Sequence, residues 1–137
     1  MTITYSTRTA TSARPVWKAA ALSGVLAAAA TASVAALADL AGISLDVDGE
    51  PIPVAGFGTM TLAAVVVGYV LAIALNRWAA RPRRTFTVTT VALTVASFIP
   101  DLTFPMAGST RAVLMLTHLV AATIVIPTIA ARLDQKR

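Results

Sequence analysis

The chain has no cysteine and a single histidine. The first absence excludes a disulfide, a thiol nucleophile and a thiolate metal site. One imidazole rules out a haem held by two histidines, and too few ligands remain for a supported zinc or other transition-metal site. Charge is scarce as well. Lys, Arg, Asp and Glu make up 12% of the 137 residues, about half of the ~25% usual in a soluble domain. So little polar surface does not coat a water-soluble globule. No G-x-S-x-G, P-loop or G-x-G-x-x-G occurs, and Gly56-Phe57-Gly58 lacks both the third glycine and a strand before it. No cofactor and no metal are expected.

What the chain has is apolar length. Hydrophobic residues are 57% of it and the mean hydropathy is +0.78. Four long uncharged runs lie between five charged segments, and the charges sort by segment. Residues 1–18 carry Arg8, Arg14 and Lys18. The first connection carries Asp46, Asp48 and Glu50 and no base; the second carries Arg77, Arg81, Arg83 and Arg84 and no acid. The third holds Asp101 and Arg111, and the tail holds Arg132, Asp134, Lys136 and Arg137. Ten of the eleven bases therefore fall on alternate connections. Short loops rich in Lys and Arg stay in the cytoplasm. The pattern predicts an all-α integral membrane four-helix bundle, up-down-up-down, with both termini cytoplasmic in a bacterial cell membrane. The net charge of +5 sits at the ends of apolar runs and forms no continuous patch, so lipid headgroups and not nucleic acid are the expected partner.

The arm at 1–14 is polar, without apolar period, and is expected to be flexible. Residues 15–137 form the membrane domain, with spans at about 16–42, 54–76, 85–100 and 112–131. Trp17 and Lys18 mark the first interface, because Trp prefers headgroup depth and Lys snorkels. Span one has an uncharged core, Ala19 to Ala38, of 20 residues, enough for ~30 Å of hydrocarbon at ~1.5 Å per residue. Its Gly24, Ala28, Ala32 and Ala36 recur every four residues, which suits close helix approach. Ala36-Leu37-Ala38 before Asp39 has the form of a signal cleavage site. The apolar stretch exceeds the ~7–15 residues of a signal h-region, so the span is read as retained. Span three, 85–100, is the shortest and reaches only ~24 Å untilted. Its threonines are expected to bond to carbonyls one turn back. Pro100, Pro105 and Gly108 are expected to keep residues 100–111 out of helix. The acids of 43–53 lack the spacing of a calcium loop and read as a solvated turn.

Asp39, Asp101, Arg111 and His118 are the polar residues of interest. Arg111 and His118 are seven apart and share a helix face. His118 is expected ~10 Å below the outer end of span four, and all four residues are expected in the outer third. Ionisable groups within spans are costly and usually face a bundle interior or wet cavity. Asp101 and His118 are therefore the candidate catalytic residues, with Asp39 and Glu50 as weaker ones. Arg111 and Tyr69 are candidate binding residues, the tyrosine because its buried hydroxyl wants a partner. The plain alternative pairs Asp101 with Arg111 across one turn, leaves Asp39 solvated, and gives His118 an ordinary interhelical bond.

The stretch 97–130, SFIPDLTFPMAGSTRAVLMLTHLVAATIVIPTIA, resembles an uncharacterised actinobacterial family of short four-span proteins, domain of unknown function 6069. The likeness rests on Pro100-Asp101, Thr110-Arg111, His118 and Pro127. It covers the second half closely and the first half in layout, where the Ala-rich first span and the DVDGE loop depart. It implies the fold and the membrane location and carries no activity.

Three functions are compatible with these residues. The first is a non-catalytic envelope-associated or accessory subunit, a homo-oligomer or part of a larger membrane complex, suited by its small-residue faces. The second is a membrane-embedded acid–base enzyme acting on a lipid or isoprenoid by cyclisation, isomerisation or epoxide opening, like a small terpene cyclase in size and location. Such chemistry needs an apolar pocket, one proton donor and dry walls. The third is a small transporter subunit using a carboxylate of the first span, for which Asp39 is the candidate. Convergence of the polar residues on a cavity favours the enzyme.

Overall fold

The computed structural model describes residues 15–133; the arm at 1–14 and the last four residues lie outside them. Each uncharged run is helical. Helix α1 is Val16–Leu40, α2 is Val54–Trp78, α3 is Pro82–Ala96, α4 is Phe98–Thr103 and α5 is Gly108–Ala130. Helices α3 and α4 follow each other through Ser97 and act as one crossing element, so four segments of 25, 25, 22 and 23 residues are long and apolar enough to span. At ~1.5 Å per residue each exceeds the ~30 Å hydrocarbon thickness. The helices pack in a ring in chain order: α1 contacts α2 and α5, and α3 contacts α2 and α5. This is an all-α four-helix bundle and a multi-pass membrane protein by its helices.

The outward faces carry no polar coat. Leu22, Val25, Leu26, Val66, Val67, Val70, Val88 and Val91 are all exposed. Apolar surface this extensive belongs against lipid. At the start of α1, Trp17 is exposed with the Lys18 ammonium 5.5 Å from its ring, the arrangement of an interface anchor.

Three helix bounds depart by three residues or more from the expected spans. The third segment starts at Pro82, not residue 85, because proline is pre-set for the first helical position. It also passes through Pro100 to Thr103. Proline cannot donate to the carbonyl four residues back and crowds it. The chain answers with a turn at Ser97, after which α4 resumes the helix toward α5. The segment is thus 22 residues, and no thinning of the bilayer is needed. Helix α5 starts at Gly108, four residues before the expected 112. The non-helical outer turn contracts to 104–107. Within α3, Thr87, Thr90 and Thr94 do bond to the carbonyls of Arg83, Phe86 and Thr90.

The α1–α2 contact is the tightest. A Cβ on Gly24 would stand 3.1 Å from Val65 Cγ1, and one on Gly58 would stand 3.4 Å from the Ala28 carbonyl oxygen and 3.8 Å from Ala32 Cβ. The small-residue stripe of α1 is therefore occupied by α2. Thr31 and Thr61 hydroxyls meet at 2.9 Å across the same interface.

The 43–53 connection is structured. Gly42, at φ 77°, ends α1: its N–H bonds to Asp39 O and that of Ile43 to Ala38 O, a Schellman stop. A two-residue hairpin follows, β1 (Asp46–Val47) against β2 (Glu50–Pro51). Its turn residues Asp48 and Gly49 both have positive φ, as a type I′ Asp-Gly turn requires. Asp48 N–H donates to Pro105 O at 2.8 Å, and the Thr110 hydroxyl donates to Ser44 O. The hairpin is thereby pinned to the 104–107 turn and to the start of α5.

Candidate functional site

Helix α4, resumed after Ser97, packs against α5, which delivers Asp101 to His118. Asp101 Oδ2 lies 3.1 Å from His118 Nδ1. Asp101 is 5% exposed, and both facing atoms are shut off from solvent. The contact is not aligned as a hydrogen bond, and neither atom has another partner among the described residues. Facing each other at that distance, the two atoms are one another's electrostatic partner, an ion pair when the imidazole is protonated. Phe98, one turn before Asp101 on α4, meets the imidazole edge-on with ring centres 6.1 Å apart. Arg111 does not pair with the Asp101 carboxylate. Its Nε donates to the Asp101 backbone oxygen at 2.7 Å, tying α4 to α5 and leaving the carboxylate to the histidine.

His118 also borders open space. One cavity of about 310 Å³ lies between α2, α3 and α5; its lining includes Gly68, Leu71, Phe86, Thr90, Thr94, Ser97 and Ile126. A second, of about 260 Å³, lies between α2 and α5 toward the hairpin end, lined among others by Ile52, Gly56, Phe57, Met60, Leu114 and Thr117. Both are walled mainly by apolar side chains. With Nδ1 turned to Asp101, Nε2 is the nitrogen left to meet a ligand. Apolar walls with one convergent acid–base pair make a binding site of the usual kind.

A family model matches residues 11–135. The chain belongs to DUF6069, a family of unknown function. No curated protein and no solved structure matches it. In this DUF6069 protein the function must be argued from the site.

The expected constellation of four is a pair with a backbone tie. Asp39 is exposed near the outer end of α1 and takes no part. Glu50 is exposed on β2. Tyr69 borders neither cavity; it packs on the cluster around Val65, Ala72, Phe86 and Ile129. His118 is deeper than expected. Because α5 begins at Gly108, it is the eleventh of 23 residues and lies ~15 Å down the helix. The sequence reading missed Gly68, Phe98, Thr90, Thr94 and Ser97 at the site. A glycine amid bulky neighbours, and hydroxyls at four-residue spacing leading to Ser97, were the available signals.

Proposed function

We propose that this is a cell-membrane protein with both termini cytoplasmic that performs acid–base chemistry on an apolar lipid or isoprenoid. The observation that carries the reading is the Asp101–His118 contact of 3.1 Å in the wall of two apolar cavities. A dry site strengthens electrostatic interactions and protects reactive intermediates from water. The pair suffices for an isomerisation without any co-reactant. A proton from Nε2 goes to an epoxide oxygen, the C–O bond breaks, and an O–H bond forms. Positive charge is left on carbon. Loss of a proton from the adjacent carbon back to the pair forms a C=C bond, or an internal alkene attacks first and a ring closes. The proton count of the pair is unchanged at the end.

Fewer observations support the two other readings. Association drew on the shortage of reactive groups and on small-residue faces, of which the Gly24, Ala28 and Ala32 part of α1 packs against α2. Transport drew on Asp39 as a carboxylate within the first span, and Asp39 is exposed near the helix end.

The test compares lipid extracts of cells producing the wild type, Asp101→Asn or His118→Ala. The expected result is a lipid of unchanged mass and shifted retention, present with the wild type and reduced about 10²- to 10⁴-fold in each variant, the usual contribution of a general acid or base. Identical extracts from all three and from cells lacking the protein overturn the proposal.

A further inference from the structure

The two cavities are not independent. Thr61, Ala64, His118 and Ala121 border both. Two of these four are alanines, so His118 is the largest side chain bordering both. The outer cavity begins beside Ile52 and Gly56, where the hairpin meets α2. The inner one ends on Phe86, which is fully buried and forms a floor. Along its side the inner cavity faces the bilayer, since the wall residues Val67 and Leu93 are 63% and 54% exposed.

We infer that the two cavities are one channel for a single-chain lipid or isoprenoid, threaded past His118 so that the imidazole meets the chain near its middle. The inference rests on the acid–base reading for where along the chain the reaction falls. Size supports it. The cavities, of about 310 and about 260 Å³, together fall in the roughly 300–1,000 Å³ range of small-molecule sites. Polarity supports the direction. The headgroup lies at the hairpin end, beside water, and the tail lies on the apolar floor at Phe86. An acid–base pair whose histidine borders both cavities is matched by one reactive group in mid-chain, such as an epoxide.

Gly68 then sets how long a tail fits. It lines the inner cavity, and a Cβ built on it meets nothing within 4 Å. A large side chain there fills the tail space and leaves Asp101 and His118 untouched.

The experiment uses the full chain in detergent with two isoprenoid alcohols, of twenty and ten carbons, each with a photoactivatable group at the tail end. Crosslinks are mapped by mass spectrometry. The longer probe is expected to label the inner cavity near Phe86 and Ile126 in the wild type. Gly68→Phe, and Gly68→Leu as a milder variant, are expected to lower that labelling at least tenfold, with the shorter probe affected less than twofold. The wild-type map alone is decisive if the variants misfold: labels on lipid-facing Val70 or Val91 in place of the inner wall overturn the channel. So does undiminished inner labelling in folded Gly68→Phe. Asp101→Asn separates the two proposals, because it keeps the apolar walls and is expected to keep the labelling. Labelling retained with lipid conversion also retained leaves the channel standing and sinks the acid–base reading.

Discussion

Asp101 and His118 differ in setting, and that difference yields a stability test. The carboxylate is 8% exposed and the imidazole 37%. Removing His118 leaves a buried carboxylate with nothing opposite it, a loss of about 1–3 kcal/mol. Replacing both members with leucine removes both buried polar groups together, and such swaps are often neutral or stabilising. In thermal unfolding in detergent, His118→Leu is expected to melt below the wild type, and Asp101→Leu/His118→Leu at or above it. A double variant less stable than His118→Leu indicates a structural pair and contradicts a pair kept for chemistry. The seven-residue relation of Arg111 and His118 on one face was legible in the sequence. The choice of partner was not. It depends on α4 continuing past Ser97 against α5, and on Arg111 spending its Nε on a backbone oxygen.

The helices interlock through small residues on one side of the bundle and separate on the other. Between α1 and α2, Gly24 leaves 3.1 Å from a Cβ position to Val65 Cγ1. Gly24→Leu is expected to force the two helices apart at a cost of about 1–3 kcal/mol, read as a lower melting temperature. A gain in stability contradicts the close packing. The stripe itself was readable from its four-residue spacing, but its partner was not, because small residues serve an inner contact or an outer one equally well. Pro100 is the instructive misreading. Proline stops the hydrogen-bond ladder locally, yet Ser97 keeps right-handed helical angles (φ −65°, ψ −16°) and the helix resumes beyond it. Local rules see the break and miss the continuation. The same limit hid the early start of α5 at Gly108.

For the molecule as a whole, the proposed orientation rests on the arginines, and the alanines and valines set the solvent. Four apolar segments were legible because nothing else explains runs of 16 or more uncharged residues at this charge content. The cavities were not legible, since they form where α2, α3 and α5 fail to meet fully, a property of packing and not of any one segment. The absence of cysteine makes the decisive measurement clean. Single-cysteine variants Asp48→Cys and Arg81→Cys are treated in intact cells with a membrane-impermeant maleimide. Asp48→Cys is expected to be labelled from outside, and Arg81→Cys only after the membrane is opened. Labelling of both in intact cells, or of Arg81→Cys alone, contradicts a bundle that spans the bilayer with its basic connection in the cytoplasm.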